Sequence, residues 1–115
     1  MNNKEKILKL TSLWYKYVNM DHHKDIDCHW NIVEAWSYGA LPCYRVEHNG
    51  YIFESKNYKY YKTRDAVEKA LIAEIKKAFK KELEWAKEVI LYRKDYDAIQ
   101  IERAEWLIKN KEMLV

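Results

Sequence analysis

The chain has 115 residues, a formal net charge of +3 and 49% hydrophobic residues, including five Trp and ten Tyr. That length predicts one domain with a core large enough to fold without staples, and only two Gly and one Pro exclude a loop-rich or disordered chain. The charge is spread rather than gathered (residues 1–20 carry +3, residues 21–63 carry −1 and residues 64–115 carry +1), which excludes an obvious nucleic-acid-binding arm.

The first predicted element is a helix over residues 4–19, where Ile7, Leu10, Leu13, Trp14, Tyr17 and Val18 recur at helical spacing. Asn2 and Glu5 have the spacing of a capping box at its start. A polar loop over residues 19–27 leads to a first strand at 28–36, and Ser37-Tyr38-Gly39-Ala40-Leu41-Pro42 is punctuated as a loop. Then comes the strongest local signal in the chain: two alternating runs joined by Asn49-Gly50. Both central residues of a type I′ turn need positive φ, which Asn and Gly tolerate best, so strands are predicted at 43–48 and 51–55. A two-residue loop sets His48 opposite Tyr51, Val46 opposite Phe53 and Arg45 opposite Glu54. Tyr58–Lys62 reads as a short extended edge, and Thr63 or Asp65 caps a long helix, Asp65 and Glu68 again having capping-box spacing.

Periodicity alone lets that helix run from 64 to 110. Val67, Leu71, Ile75, Ala78, Phe79, Leu83, Ala86, Val89 and Ile90 cover about half its circumference, and Tyr96, Ala104, Leu107 and Ile108 stay in phase. Unbroken, it would be about 70 Å long, against a radius of gyration of about 13 Å for a globule of this length. Asp97 and Gln100 fit a capping box, and Tyr96 with Ile101 fits a hydrophobic staple, so the expectation is two helices, 64–93 and 97–111. The alternative is one long helix that pairs with a second subunit.

The order α-β-β-β-α-α predicts an α+β fold, a small three-stranded antiparallel sheet with helices packed on one face. Setting Val33 opposite Val46 puts Val33, Ala35, Tyr44, Val46 and Phe53 on the core side. The other face then carries Trp30, Ile32, Glu34, Trp36, Arg45, Glu47, Ile52 and Glu54, with Arg45 between two carboxylates. Trp30, Ile32, Trp36, Arg45 and Ile52 are accordingly the candidate protein-binding residues, because a patch of this kind marks an interaction surface and Trp and Arg are the types favoured at hot spots. Cover by Tyr58–Tyr61 or by a terminal helix is the structural alternative.

Nucleic acid is the second candidate partner. Lys69, Lys76, Lys80, Lys87 and Lys94 fall within about 20° of one line along the long helix, where they could meet phosphates. Glu84 and Glu88 flank them, and lysine stripes are commonly the wet side of an amphipathic helix. The start of that helix reads Thr63-Arg64-Asp65-Ala66-Val67-Glu68-Lys69. The α-β-β-β-α order resembles the double-stranded-RNA-binding domain in topology alone. That family carries a basic phosphate-gripping cluster where this chain is nearly neutral, so the resemblance does not extend to the residues that bind RNA.

Metal is the third candidate. Asp21-His22-His23-Lys24-Asp25-Ile26-Asp27-Cys28-His29 crowds seven potential ligands into nine residues, and His48 joins His29 at one end of the sheet, so His22, His23, Cys28, His29 and His48 form a candidate set. Its spacing matches no finger or ribbon, and a polar loop is the plainer reading. Cys28 and Cys43 sit at opposite ends of paired strands, which argues against a disulfide and for a reducing compartment. Glu82 lies near the middle of the apolar arc, where an unpaired buried carboxylate would be costly; partial exposure is the commonest resolution, beside a gap in packing, a base such as Arg45 or Arg103, or a partner interface. No phosphate loop or nucleophile elbow is present. No apolar run approaches the roughly 20 residues of a membrane span, and the chain starts without a signal peptide. The expectation is therefore a cytoplasmic, non-enzymatic, cofactor-free module. It would dock onto another macromolecule, foremost a protein, or self-associate through the sheet face or long helix. It has the size and style of inhibitors and adaptors that viruses and mobile elements encode.

Overall fold

The computed structural model describes residues 2–20, 30–36, 42–48, 51–52 and 60–114. The fold is mixed and mostly helical: α1 (Asn3–Val18), β1 (Trp30–Trp36), β2 (Pro42–His48), α2 (Arg64–Leu91), α3 (Ala98–Lys109) and a short α4 (Lys111–Leu114).

Each of the three long helices starts where side chains satisfy backbone donors that have no partner inside the helix. Asn2 Oδ1 accepts from Glu5 N at 2.9 Å. The Glu5 carboxylate takes the Asn2 side-chain amide at 3.4 Å instead of the Asn2 backbone N–H, so only the first half of the capping box expected there is made. Thr63, not Asp65, caps α2, accepting from Ala66 N at 3.1 Å. Asp65 sits in the first turn, where a carboxylate meets the positive end of the helix, and it takes contacts from Asn3 at 2.9 Å and Lys69 at 3.0 Å. The helical phase ends at Leu91, a 3₁₀ turn follows over Arg93–Asp95, and α3 begins behind Asp97. Both halves of the Asp97–Gln100 capping box are made, at 2.8 and 3.1 Å. Lys94 therefore leaves the lysine line, because it lies in the 3₁₀ turn past the end of α2.

The β-structure is an antiparallel ladder of β1 and β2 with a hairpin extension. His48 pairs with Tyr51 and Glu47 with Ile52, the offset a two-residue loop imposes. The described residues thus show two full strands and a short third piece rather than three full strands, and residues 53–55 lie outside them. Farther along the same edge, Tyr44 exchanges backbone hydrogen bonds of 2.8 and 2.7 Å with Tyr61, so the extended stretch before α2 holds that position.

The β1–β2 register differs from the expected one by a single residue. Trp30 pairs with His48, Ile32 with Val46, Val33 with Arg45, and Trp36 with Pro42. Strand side chains alternate, so one residue of slip exchanges the faces. Trp30 and Val46 are buried, and Ile32 and Tyr44 pack partly buried against the same core. Asn31, Val33, Arg45 and Glu47 take the opposite face. The physical reason is area: Trp30 and Ile32 facing inward bury far more apolar surface than Val33 and Ala35 would.

α2 is the shared partner of everything else. α1, both strands, α3 and α4 all lie against it. Asn3 meets Asp65 and Tyr17 meets Glu82, so α1 runs parallel to α2 from its start to beyond its middle. One cluster joins Trp14, Tyr17, Phe79, Leu83, Ala104 and Leu107 across all three long helices. The register is testable by stability. Trp30→Ala is expected to lower unfolding stability in urea by about 3–5 kcal/mol, the usual cost of removing a buried aromatic. Asn31→Ala, one residue on, is expected to change it by about 0.5 kcal/mol or less. Equal effects would contradict the pairing of Trp30 with His48.

Candidate functional site

The register breaks up the expected sheet-face site. Trp30 is 5% exposed and stacks on His48, with ring centroids 3.9 Å apart and planes 6° from parallel, so it is core and not docking surface. Ile32 faces the same way. Arg45 is on the other face, opposite Val33, with its Nε buried and without an acceptor among the described residues. Trp36 pairs with Pro42 and Ile52 with Glu47 through the backbone, and their side chains lie outside the described residues.

The lysine line keeps four members on α2. Lys69 pairs with Asp65 at 3.0 Å and Lys87 with Glu84 at 3.6 Å, which neutralises both ends. Lys76 and Lys80 make no ion pair among the described residues. Of the metal set, His22, His23, Cys28 and His29 lie outside the described residues. His48 is packed among aromatics, edge-on to Trp14 at 5.7 Å as well as stacked on Trp30. Among the described residues no three His, Cys, Asp or Glu side chains gather as a metal site. No helix among them is long and apolar enough to cross a membrane.

What the structure assembles instead is a junction of α1, α2 and α3. Tyr17, at the end of α1, is 1% exposed, and its hydroxyl donates to Glu82 Oε2 at 2.9 Å. Glu82 is half-buried in the middle of the apolar arc, and the hydrogen-bond partner its carboxylate finds among the described residues is a phenol. The Tyr17 ring stacks on Trp106 at 5.9 Å and 18°, and tilts against Trp14 and Phe79 at 6.0 and 6.3 Å. The Arg103 guanidinium lies 4.5 Å from the Tyr17 ring centroid and 5.9 Å from that of Trp85, both within the range of cation–π attraction. Its Nε is buried with no acceptor among the described residues, and the ring faces lie against its guanidinium.

Helical geometry explains the convergence. Ile99, Arg103 and Trp106 stand at i, i+4 and i+7, one stripe of α3. Glu82 and Trp85 stand three apart on α2. Trp85, Arg103 and Trp106 are half-buried and Ile99 is 38% exposed, so the stripe seals Tyr17 below and meets solvent above. Sequence reading passes over this group because Ile99 and Trp106 fall off the apolar arc of the helical pattern. That is itself a signal, since large apolar side chains out of phase with a core need another partner.

Burial, then the Glu82 charge, raise the Tyr17 phenol above its ordinary value, while Arg103 acts in the opposite sense. A sealed phenol that holds its proton this firmly has no acid–base role near neutral pH. It does make stability depend on alkaline pH. The unfolded phenol ionises at its ordinary value of 10.0 while the folded one stays protonated, so the contribution is complete below that pH and is lost as pH rises above it. Tyr17→Phe is expected to cost about 1–2 kcal/mol at neutral pH, by leaving Glu82 without its donor, and less in a Glu82→Gln background. It is also expected to flatten the loss of stability above about pH 10, read by urea unfolding across that range. An unchanged alkaline slope in Tyr17→Phe would show that another group carries it. No protein-family model matches the chain, and no curated protein or solved structure is significantly similar to it.

Proposed function

We propose that the chain is a small, non-enzymatic binding module that docks onto another protein through the surface made by Trp85, Arg103, Trp106 and Ile99. One observation carries the reading: two tryptophans and an arginine, the residue types enriched at binding hot spots, stand half-exposed together and are already fixed in place. Trp106 is held by the stack on Tyr17, and Arg103 by two ring faces. Long side chains ordered before binding lose little further entropy when a partner arrives.

This surface takes over the role expected of the sheet face, whose Trp30 turns inward. An inhibitor or adaptor acting in the cytoplasm, of the kind viruses and mobile elements encode, fits a module of this size. The phosphate-binding alternative is less favoured, because intrahelical carboxylates neutralise two of the four lysines on the α2 line and leave no concentrated positive field.

The reading is tested by placing a photo-crosslinking aromatic residue at position 85 and, as a control, at the exposed Ala73 on the outer side of α2. In cells of the native host, position 85 is expected to yield a covalent adduct with a protein and position 73 none. Absence of any protein adduct from position 85, or equal labelling from both, would reject the surface.

A further inference from the structure

We infer that the protein docked on this surface is a second copy of the same chain, packed antiparallel about a two-fold axis beside Trp85; the inference rests on the docking reading above. Lys81, Trp85, Glu88 and Tyr92 are spaced four, three and four apart, which puts them on one stripe of α2 and its C-cap. Lys81 and Glu88 are exposed, and Tyr92 is 53% exposed. Some other charges along α2 are paired within the helix, Arg64 with Glu68, Lys69 with Asp65 and Lys87 with Glu84, and of those left unpaired among the described residues Lys81 and Glu88 are opposite charges that share the stripe of Trp85. Lys81 and Glu88 make no ion pair among the described residues and cannot pair with each other, being two turns and about 10 Å apart.

That order is self-complementary. When two such helices are laid antiparallel with their Trp85 residues together, Lys81 of each copy falls opposite Glu88 of the other. Both pairs form at once, as an isologous interface requires. A parallel arrangement would instead set Lys81 against Lys81 and Glu88 against Glu88. An unrelated partner would have to supply both opposite charges and an aromatic at the same spacing, which the chain already supplies to itself.

Shape and area agree. The chain measures 58 × 27 × 26 Å, with a radius of gyration of 16.3 Å, where a compact chain of this length has about 13 Å. It exposes 8240 Å², about 1,500 Å² more than a compact monomer of its mass. A standard interface removes about 800 Å² per partner. Two α2–α3 hairpins packed in this way form a four-helix layer, the arrangement that buries what a two-helix arm leaves open.

The experiment is sedimentation equilibrium of the full chain with a charge-swap series, far-UV circular dichroism confirming that each variant is folded. The wild type is expected at twice 14.1 kDa. Lys81→Glu and Glu88→Lys are each expected to weaken the dimer about tenfold or more, because each sets like charges against one another twice. The double variant Lys81→Glu/Glu88→Lys is expected to restore it to within about threefold, since the pairs are re-formed with signs exchanged. A monomeric wild type, a dimer indifferent to the single substitutions, or a double variant no better than the singles would overturn the inference. The two readings separate at position 85. A crosslink to a different protein, with the wild type monomeric, overturns the second copy and leaves docking standing. No crosslink to any protein, with the wild type monomeric, overturns both.

Discussion

The length of α2 is the constraint on which the rest of the molecule depends. Its 28 residues extend about 42 Å at 1.5 Å per residue, longer than a compact globule of this size can enclose. No single element can cover its apolar stripe, so coverage is divided. α1 lies along the first part, the two strands lean on it, and α3 with α4 returns along the second. The N-terminal and C-terminal coverings meet near the middle of α2, and the junction built from Tyr17, Glu82 and Arg103 lies there. An elongated molecule follows directly, and so does a set of large side chains at the α2–α3 end, Leu91 and Tyr92 among them, that nothing within the described residues covers.

The helices were legible in the sequence because their ends are written in side chains that do local chemistry. Asp97 and Gln100 satisfy each other's backbone within four residues, so the break between α2 and α3 needs no knowledge of the rest of the fold. The hairpin offset at His48 and Tyr51 was legible for the same reason, a two-residue loop being a local instruction. The pairing of β1 with β2 has no such instruction. Its connecting segment is longer, and the register is decided by which strand face meets α2. A charge pattern of Arg45 between Glu34 and Glu54 was a plausible guide, but cross-strand ion pairs contribute only about 0.2–1 kcal/mol. Burying a tryptophan side chain contributes more. Burial therefore decides the register, and one residue of slip carries Trp30 and Ile32 into the core.

The candidate site was harder to read for a related reason. Its members come from three helices and become neighbours only after α1 and α3 have both docked. Glu82 was visible as an anomaly within the α2 pattern, yet its partner lies 65 residues away and is a tyrosine, a residue that a search for compensating charge does not reach. Arg103 likewise finds no carboxylate among the described residues; it finds rings. Sequence patterns report periodicity well and compensation poorly, because a buried charge accepts several kinds of partner: an opposite charge, a hydroxyl or an aromatic face.

That choice of partners has a consequence for specificity. An all-apolar seam between α1 and α2 would tolerate sliding, since the ridges of one helix fit the grooves of the other at more than one offset. A one-turn slip of α1 would carry the Tyr17 hydroxyl about 5.4 Å away, leaving the Glu82 carboxylate in the apolar arc without a donor and Arg103 without its nearer ring face. The polar contacts therefore penalise the wrong offsets more than they stabilise the right one, the role best attested for buried polar groups in helical assemblies. Because Trp106 and Arg103 are both held by Tyr17, the same contacts that fix the offset of α1 fix the outward geometry of the surface proposed for docking. The N-terminal helix is thus a structural requirement of a surface it does not itself present, and the fold and the binding face cannot be altered independently at this point.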